Sequence, residues 1–190
     1  MSRAVAIGLS ALALALACKG PTVPSPLTGQ SRYLCCNMHY DRMDITDLNY
    51  LQGALIPFGT RVQILEVHKN SVRFQPAGHP PLTLSLRHGK KMMTFEQYLD
   101  RVFVGEDPHA KLPKTPRDRK QAAEAEKVRK AIEGGIIEPG MTKEQVLMAV
   151  GYPPAHRTPS LESAAWTYWT NRWSSYQVYF DGDRVSRVNR

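Results

Sequence analysis

The sequence predicts an α+β chain: a small β-barrel, then a unit of two helices and a three-stranded antiparallel sheet. Three observations carry this expectation. Short period-two runs separated by turn residues occupy residues 31–104. Two helix-forming segments follow, and the second has its own start and stop signals. A meander containing an Asp-Gly hairpin completes the unit.

Before these elements stands a leader. Arg3 precedes an apolar run, Ala4 to Ala17, that ends in Ala15-Leu16-Ala17-Cys18. A basic start, a short apolar stretch and small residues before a cut are the marks of a secretory signal. At about 14 residues the run is short of the roughly 20 that a spanning helix needs. Residues 1–17 are therefore expected to be a signal peptide. Two cuts fit: an ordinary one after Ala17, and a lipoprotein one that leaves Cys18 for acylation. The lipoprotein reading makes Cys18 a lipidation site and places the chain at the outer membrane, facing the periplasm. Lys19 after Cys18, rather than Asp, agrees with that sorting. Residues 18–30, with Pro21, Pro24 and Pro26, are expected to be an extended tether.

The next segment, residues 31–104, reads as β. Arg61 to Val67 alternates apolar and polar, His68-Lys69-Asn70 is a turn, and Val72-Arg73-Phe74 resumes the alternation. Leu82 to Leu86 places Leu82, Leu84 and Leu86 on one face. The Gly59-Thr60 turn opening a strand of the form x-Val-x-Ile is similar to an SH3-like barrel. A short helix over Met92–Val104 is expected, with Thr94 as its cap and Phe95, Leu99 and Phe103 in register. Pro108, Pro113 and Pro116 mark residues 105–118 as a linker.

The remaining segment, residues 119–190, opens with Arg119–Glu133, a run of strong helix formers with a thin apolar stripe that ends at Gly134-Gly135. Thr142 and Gln145 form a capping box, with Met141 and Val146 as a hydrophobic staple. Gly151 and Pro153-Pro154 stop that helix near Val150. Strands are expected over Ala165–Trp169, Ser175–Phe180 and Arg184–Val188. In the last of these the apolar Val185 and Val188 lie three apart, which is imperfect alternation.

The motifs Gly140-Met141-Thr142-Lys143-Glu144-Gln145-Val146, Gly151-Tyr152-Pro153, Trp166-Thr167-Tyr168 and Val178-Tyr179-Phe180-Asp181-Gly182 occur in this order. The order and spacing resemble the SmpA/OmlA family of outer-membrane lipoproteins, the BamE-like domain. The resemblance implies a helix-helix-strand-strand-strand fold, lipid anchoring and a binding role in outer-membrane protein assembly or envelope integrity. It implies no catalytic residue and no cofactor. The partners it implies are assembly or other envelope proteins. The same helix-helix-sheet order is similar to repeats of secreted β-lactamase inhibitor proteins, and the barrel to modules that bind cell-wall peptides. An inhibitor-like or wall-peptide-binding module is therefore the alternative.

Composition narrows the chemistry. Twenty-five Lys and Arg against 17 Asp and Glu give a net charge of +8. Removal of Arg3 with the leader leaves +7, and Lys111–Glu133 alone holds eight basic and four acidic residues. Arg117, Arg119 and Lys120 in that run are candidate contacts for an anionic partner, including lipid headgroups. An exported chain is not expected to meet nucleic acid. The three Cys are too few for a disulfide-stapled scaffold or a four-Cys zinc site. Cys35-Cys36 has three open readings: a nucleophile assisted by His39, a disulfide between neighbours, and two unpaired thiols. None of the six His has metal-ligand spacing, and Asp41, Asp44 and Asp47 are read as turn and cap residues. Of the aromatic residues near the end of the sequence, Trp166 and Phe180 are expected in the core. Trp169, Trp173 and Tyr176 are the candidate partner contacts.

Overall fold

A computed structural model describes residues 21–190; the leader and Cys18 lie outside the described residues. The chain is α+β. Its first half contains β1 (Ser31–Leu34), β2 (Met38–Tyr40), β3 (Asp44–Thr46), β4 (Ala54–Ile56), β5 (Arg61–Val67), β6 (Ser71–Pro76) and β7 (Leu82–Ser85). Helix α1 (Phe95–Val102) and the two-residue β8 (Phe103–Val104) follow. A 3-10 turn, Pro108–Lys111, leads to α2 (Arg119–Glu133), α3 (Lys143–Val150), β9 (Ala165–Trp169), β10 (Ser175–Asp181) and β11 (Arg184–Asn189).

The first half forms a six-stranded sheet in the order β3-β7-β6-β5-β1-β8, with β3 parallel to β7. The sheet is open. Its end strands, β3 and β8, do not pair with each other, and β2 and β4 form a separate ribbon, so the expected barrel is not closed. The ribbon strands have three residues each and pair only with each other. Just before β2, Asn37 gives its backbone N–H and its side chain to the second half. Leu34, Ile64, Phe74, Leu82 and Leu84 fill the core under the sheet. Helix α1 closes that core with Phe95, Tyr98, Leu99 and Val102, and is held at its start by the Thr94–Gln97 capping box. The helix stops at Val102, and Phe103 turns into strand pairing with β1.

The second half forms the sheet β11-β10-β9, which shares one core with α2 and α3. Helix α3 starts with Thr142 Oγ1 accepting from the Gln145 amide, and Met141 and Val146 are both fully buried. It ends at Gly151, where φ is +81° and the Asn49 amide nitrogen would lie 2.8 Å from an added Cβ. Between Tyr179 and Phe180 the β10–β11 register slips. Val178 faces Val188 while Phe180 faces Val185, leaving one extra residue, Ser186, on β11. This bulge explains the spacing of Val185 and Val188, since one inserted residue returns both to the same face.

The two halves are joined tightly. Phe58, in the turn before β5, is buried in the second core beside Ala131, Ile132 and Met148. The Asn37 side chain is fully buried. Its amide donates to Ile132 O at 2.6 Å and Ala149 O at 2.9 Å, and its oxygen accepts from Phe58 N at 2.8 Å. Asn49 donates to Val150 O at 3.0 Å. The last turns of α2 and α3 therefore have carbonyls capped by two asparagines from the other half, a role usually filled locally.

The segments on either side of these units are also held. The described part of the proline-rich segment expected as a tether lies along β5 and turns at Pro26–Gly29, where Thr28 N donates to Ser25 O and Gln30 N to Leu27 O. Thr22 bridges to His68, Val23 N donates to Val67 O at 2.8 Å, and Gly29 N donates to Ile64 O at 2.9 Å. In the linker, the His109 ring packs on Phe58 with centroids 4.5 Å apart.

Candidate docking groove

A polar groove of about 860 Å³ runs between the halves. One wall comes from β2, β3 and their connections, with His39, Tyr40, Arg42 and Tyr50. Arg87 and His88 extend this wall, and the loop Asn171–Ser174 between β9 and β10 forms the opposite wall. Leu51 N donates to Trp169 O at 3.4 Å, linking the walls at one point.

Trp173 is the prominent side chain of the groove, with 80% of its surface exposed. Its loop is built to present it. Asn171 Oδ1 accepts from the backbone N–H groups of Trp173 and Ser174 at 2.8 and 2.9 Å. Thr170 donates from its backbone and its hydroxyl to Ser174 O at 3.0 and 3.1 Å. These bonds brace the turn, and the indole projects from it. The Arg172 guanidinium stacks over the indole, 4.7 Å from the ring centre.

Charge in the groove is mixed with a basic excess. Arg42, Arg87 and Arg172 face Asp41 and Asp44, all of them exposed. Arg42 and Arg87 make no side-chain hydrogen bond or ion pair among the described residues, so their donors are free for a ligand. Asp47 belongs to the scaffold. It is buried, and its carboxylate accepts from the backbone N–H groups of Arg87, His88 and Gly89 at 2.9, 3.1 and 2.7 Å. This is the cap duty expected of the acidic string, exercised here on a distant loop.

Two histidines near the groove resist protonation. Burial lowers the pKa of His39, whose Nδ1 is buried without a partner. Burial also lowers that of His156, and the neighbouring His88 and Arg157 add to the effect while Asp47 opposes it. Unfolded histidine titrates near 6.5. Below that pH the unfolded chain binds protons that the fold refuses. The stability contribution is complete above the unfolded value and is lost as pH falls through the folded values. A chain with His39→Gln and His156→Gln is expected to lose less stability than the parent between neutral pH and about pH 5. Urea midpoints measured across that range would test this, and parallel losses in the two chains would refute it.

The other expected site residues fall in different places. Tyr176 is 6% exposed and stacks on Tyr168 with centroids 5.7 Å apart, so it belongs to the core and is not a contact residue. Burial pushes its hydroxyl up to about 12. Trp169 is half-buried, with its indole N–H enclosed and unpartnered. Tyr176 shares the buried face of β10 with Val178 and Phe180. Trp169 falls on the other face of β9 from Trp166 and Tyr168, and that face also packs against the Ala155–Ser163 loop, where Thr158 Oγ1 accepts from Thr167 N at 3.0 Å. Arg117, Arg119 and Lys120 are exposed at the start of α2 and do not line the groove. Cys35 and Cys36 are joined to each other in a disulfide. They border a second cleft of about 390 Å³ with Pro108, Leu147 and Tyr152. With both sulfurs paired, neither is a free thiolate. His39, Tyr40, Arg42, Tyr50, Arg87 and His88 were not singled out as groove residues by sequence pattern. They lie on short strands and turns without a shared period, and the fold brings them together.

Among the described residues, no group of three His, Cys, Asp or Glu could hold a metal ion. No described helix is long and apolar enough to cross a membrane. Comparison with family models, curated proteins and solved structures finds no match to this chain.

Proposed function

We propose that this chain is a lipid-anchored binding protein on the periplasmic face of the outer membrane, with an SH3-like half followed by a BamE-like half. It docks an envelope protein in the groove between them and acts in outer-membrane protein assembly or envelope integrity. The observation that carries the reading is Trp173: a large aromatic residue, 80% exposed, on a loop with satisfied hydrogen bonds, facing unpaired arginines. Trp, Tyr and Arg are the residues that dominate binding energy at protein interfaces. The succession α2, α3, β9, β10, β11 is the order the SmpA/OmlA resemblance implies and supports a BamE-like reading of the second half. The reading uses no catalytic residue and no cofactor.

Two measurements test it. Intact mass of the membrane-fraction protein is expected to show acylation at Cys18; an unmodified soluble chain beginning at Cys18 would refute anchoring. A photocrosslinker at position 173 is expected to capture a component of the assembly machinery, with quantitative binding of that component weakened about thirtyfold by Trp173→Ala, equivalent to about 2 kcal/mol. Recovery of peptidoglycan fragments in place of protein would favour the wall-binding alternative.

A further inference from the structure

The anchor and the described body are close in sequence. Cys18 and Pro21 are separated by three peptide steps, about 11 Å at full extension. From Pro21 the chain is fastened to one end of the six-stranded sheet. His68 Nδ1 lies 3.2 Å from Pro21 O, Thr22 bridges to His68, and Val23 N donates to Val67 O. That end is the turn between β5 and β6. An acylated Cys18 therefore does not hold the body away from a bilayer. It draws the β5–β6 turn to the surface.

The same end is basic. Lys69 occupies the turn. Leu86 N donates to Asn70 O at 2.9 Å, bringing the loop after β7 beside it, and Arg87 and Lys90 share a surface hollow with Asn70 and Ser71. Lys91 follows. Lys69, Arg87, Lys90 and Lys91 are all exposed, and none has an ion pair or side-chain hydrogen bond among the described residues. The loop holding three of them is fixed from beneath by the buried Asp47 carboxylate. Two apolar side chains are exposed nearby: Val23, whose N–H donates to Val67 O two residues before Lys69, and Met92, next after Lys91. Glu66 on β5 is engaged by Arg73 and His68 at 3.3 and 3.5 Å.

We infer that Lys69, Arg87, Lys90 and Lys91 form a membrane-facing surface that binds anionic phospholipid headgroups beside the acyl anchor. The inference rests on the anchored reading given above. Headgroup attraction contributes about 1 kcal/mol per basic residue near the surface, roughly fivefold each. The acyl chains supply attachment, and the lysines supply orientation. With this end of the sheet against the lipid, the body takes a defined pose instead of tumbling on its anchor.

The test uses the full chain, acylated and reconstituted into phosphatidylcholine vesicles with and without phosphatidylglycerol. A fluorophore is attached through Asn70→Cys or, for comparison, through Gly182→Cys in the β10–β11 turn, and a headgroup-bound nitroxide serves as quencher. Quenching at position 70 is expected to exceed that at position 182 several-fold in anionic vesicles. The part of that excess gained over pure phosphatidylcholine vesicles should vanish when Lys69, Lys90 and Lys91 are replaced by Gln, or near 1 M salt, where the screening length is about 3 Å. Equal quenching at the two positions, or quenching at position 70 indifferent to phosphatidylglycerol and to the lysine substitutions, overturns the inference while leaving anchoring intact. Mass analysis of the same sample reads acylation separately, so loss of the anchor and loss of the pose are distinct results.

Discussion

Asn37→Ala is expected to lower the unfolding free energy by about 2–5 kcal/mol: three buried backbone groups lose a bond, an unsatisfied one costs about 1–3 kcal/mol, and among the described residues only Ile132 O keeps another donor, Gly135 N at 3.1 Å. Those groups are Ile132 O, Ala149 O and Phe58 N. A methyl group replaces a planar amide that donates twice and accepts once, and the fully buried site gives water little room to substitute. Asn37→Asp should be worse. A carboxylate cannot donate to the two carbonyls, and it brings a charge into the site. Urea unfolding followed by circular dichroism gives the number. A loss below about 1 kcal/mol would mean that the Asn37 side chain is not what holds the halves together.

Trp166→Ala is expected to cost a similar amount, about 3–5 kcal/mol, by a different route. The ring is fully buried and lies 4.6 Å from Phe180 between centroids. Its removal leaves a cavity under the three-stranded sheet that the surrounding Met141 and Val146 can only partly fill. Trp173→Ala is the internal control: its 80% exposure predicts a stability change within about 0.5 kcal/mol. Thermal unfolding of the two variants side by side separates them. If Trp173→Ala also destabilised the chain by several kcal/mol, the groove loop would be part of the core and its role as a presenting platform would fail.

How much of this was legible in the sequence depends on the range of the forces involved. Helix α3 runs over the span read from its residues, since Thr142, Gln145 and Gly151 act within one or two turns of backbone. Helix α2 and strand β9 also begin and end where expected. The α+β class followed from these local signals. The closed barrel did not appear, because closure depends on whether β2 and β4 join the main sheet or pair together, and three-residue strands encode that choice poorly. Tyr176 was counted among the contact candidates although it shares the β10 face of Val178 and Phe180, where it is buried and stacks on Tyr168. Trp173 was anticipated as an exposed contact. Its arginine and histidine neighbours were not, since Arg42 and Arg87 meet Arg172 only after the two halves associate.

The asparagine junction has a consequence for how the chain acquires its structure. Asn37 bonds to residues 95 and 112 positions later. Such distant pairings must wait for the intervening chain to close, and they slow folding relative to local contacts. During synthesis the first half emerges with Asn37 lacking its carbonyl partners and with Phe58 lacking its core. It cannot complete its structure until α3 has followed. Folding is thereby deferred to nearly the whole length of the chain, and both halves are committed together.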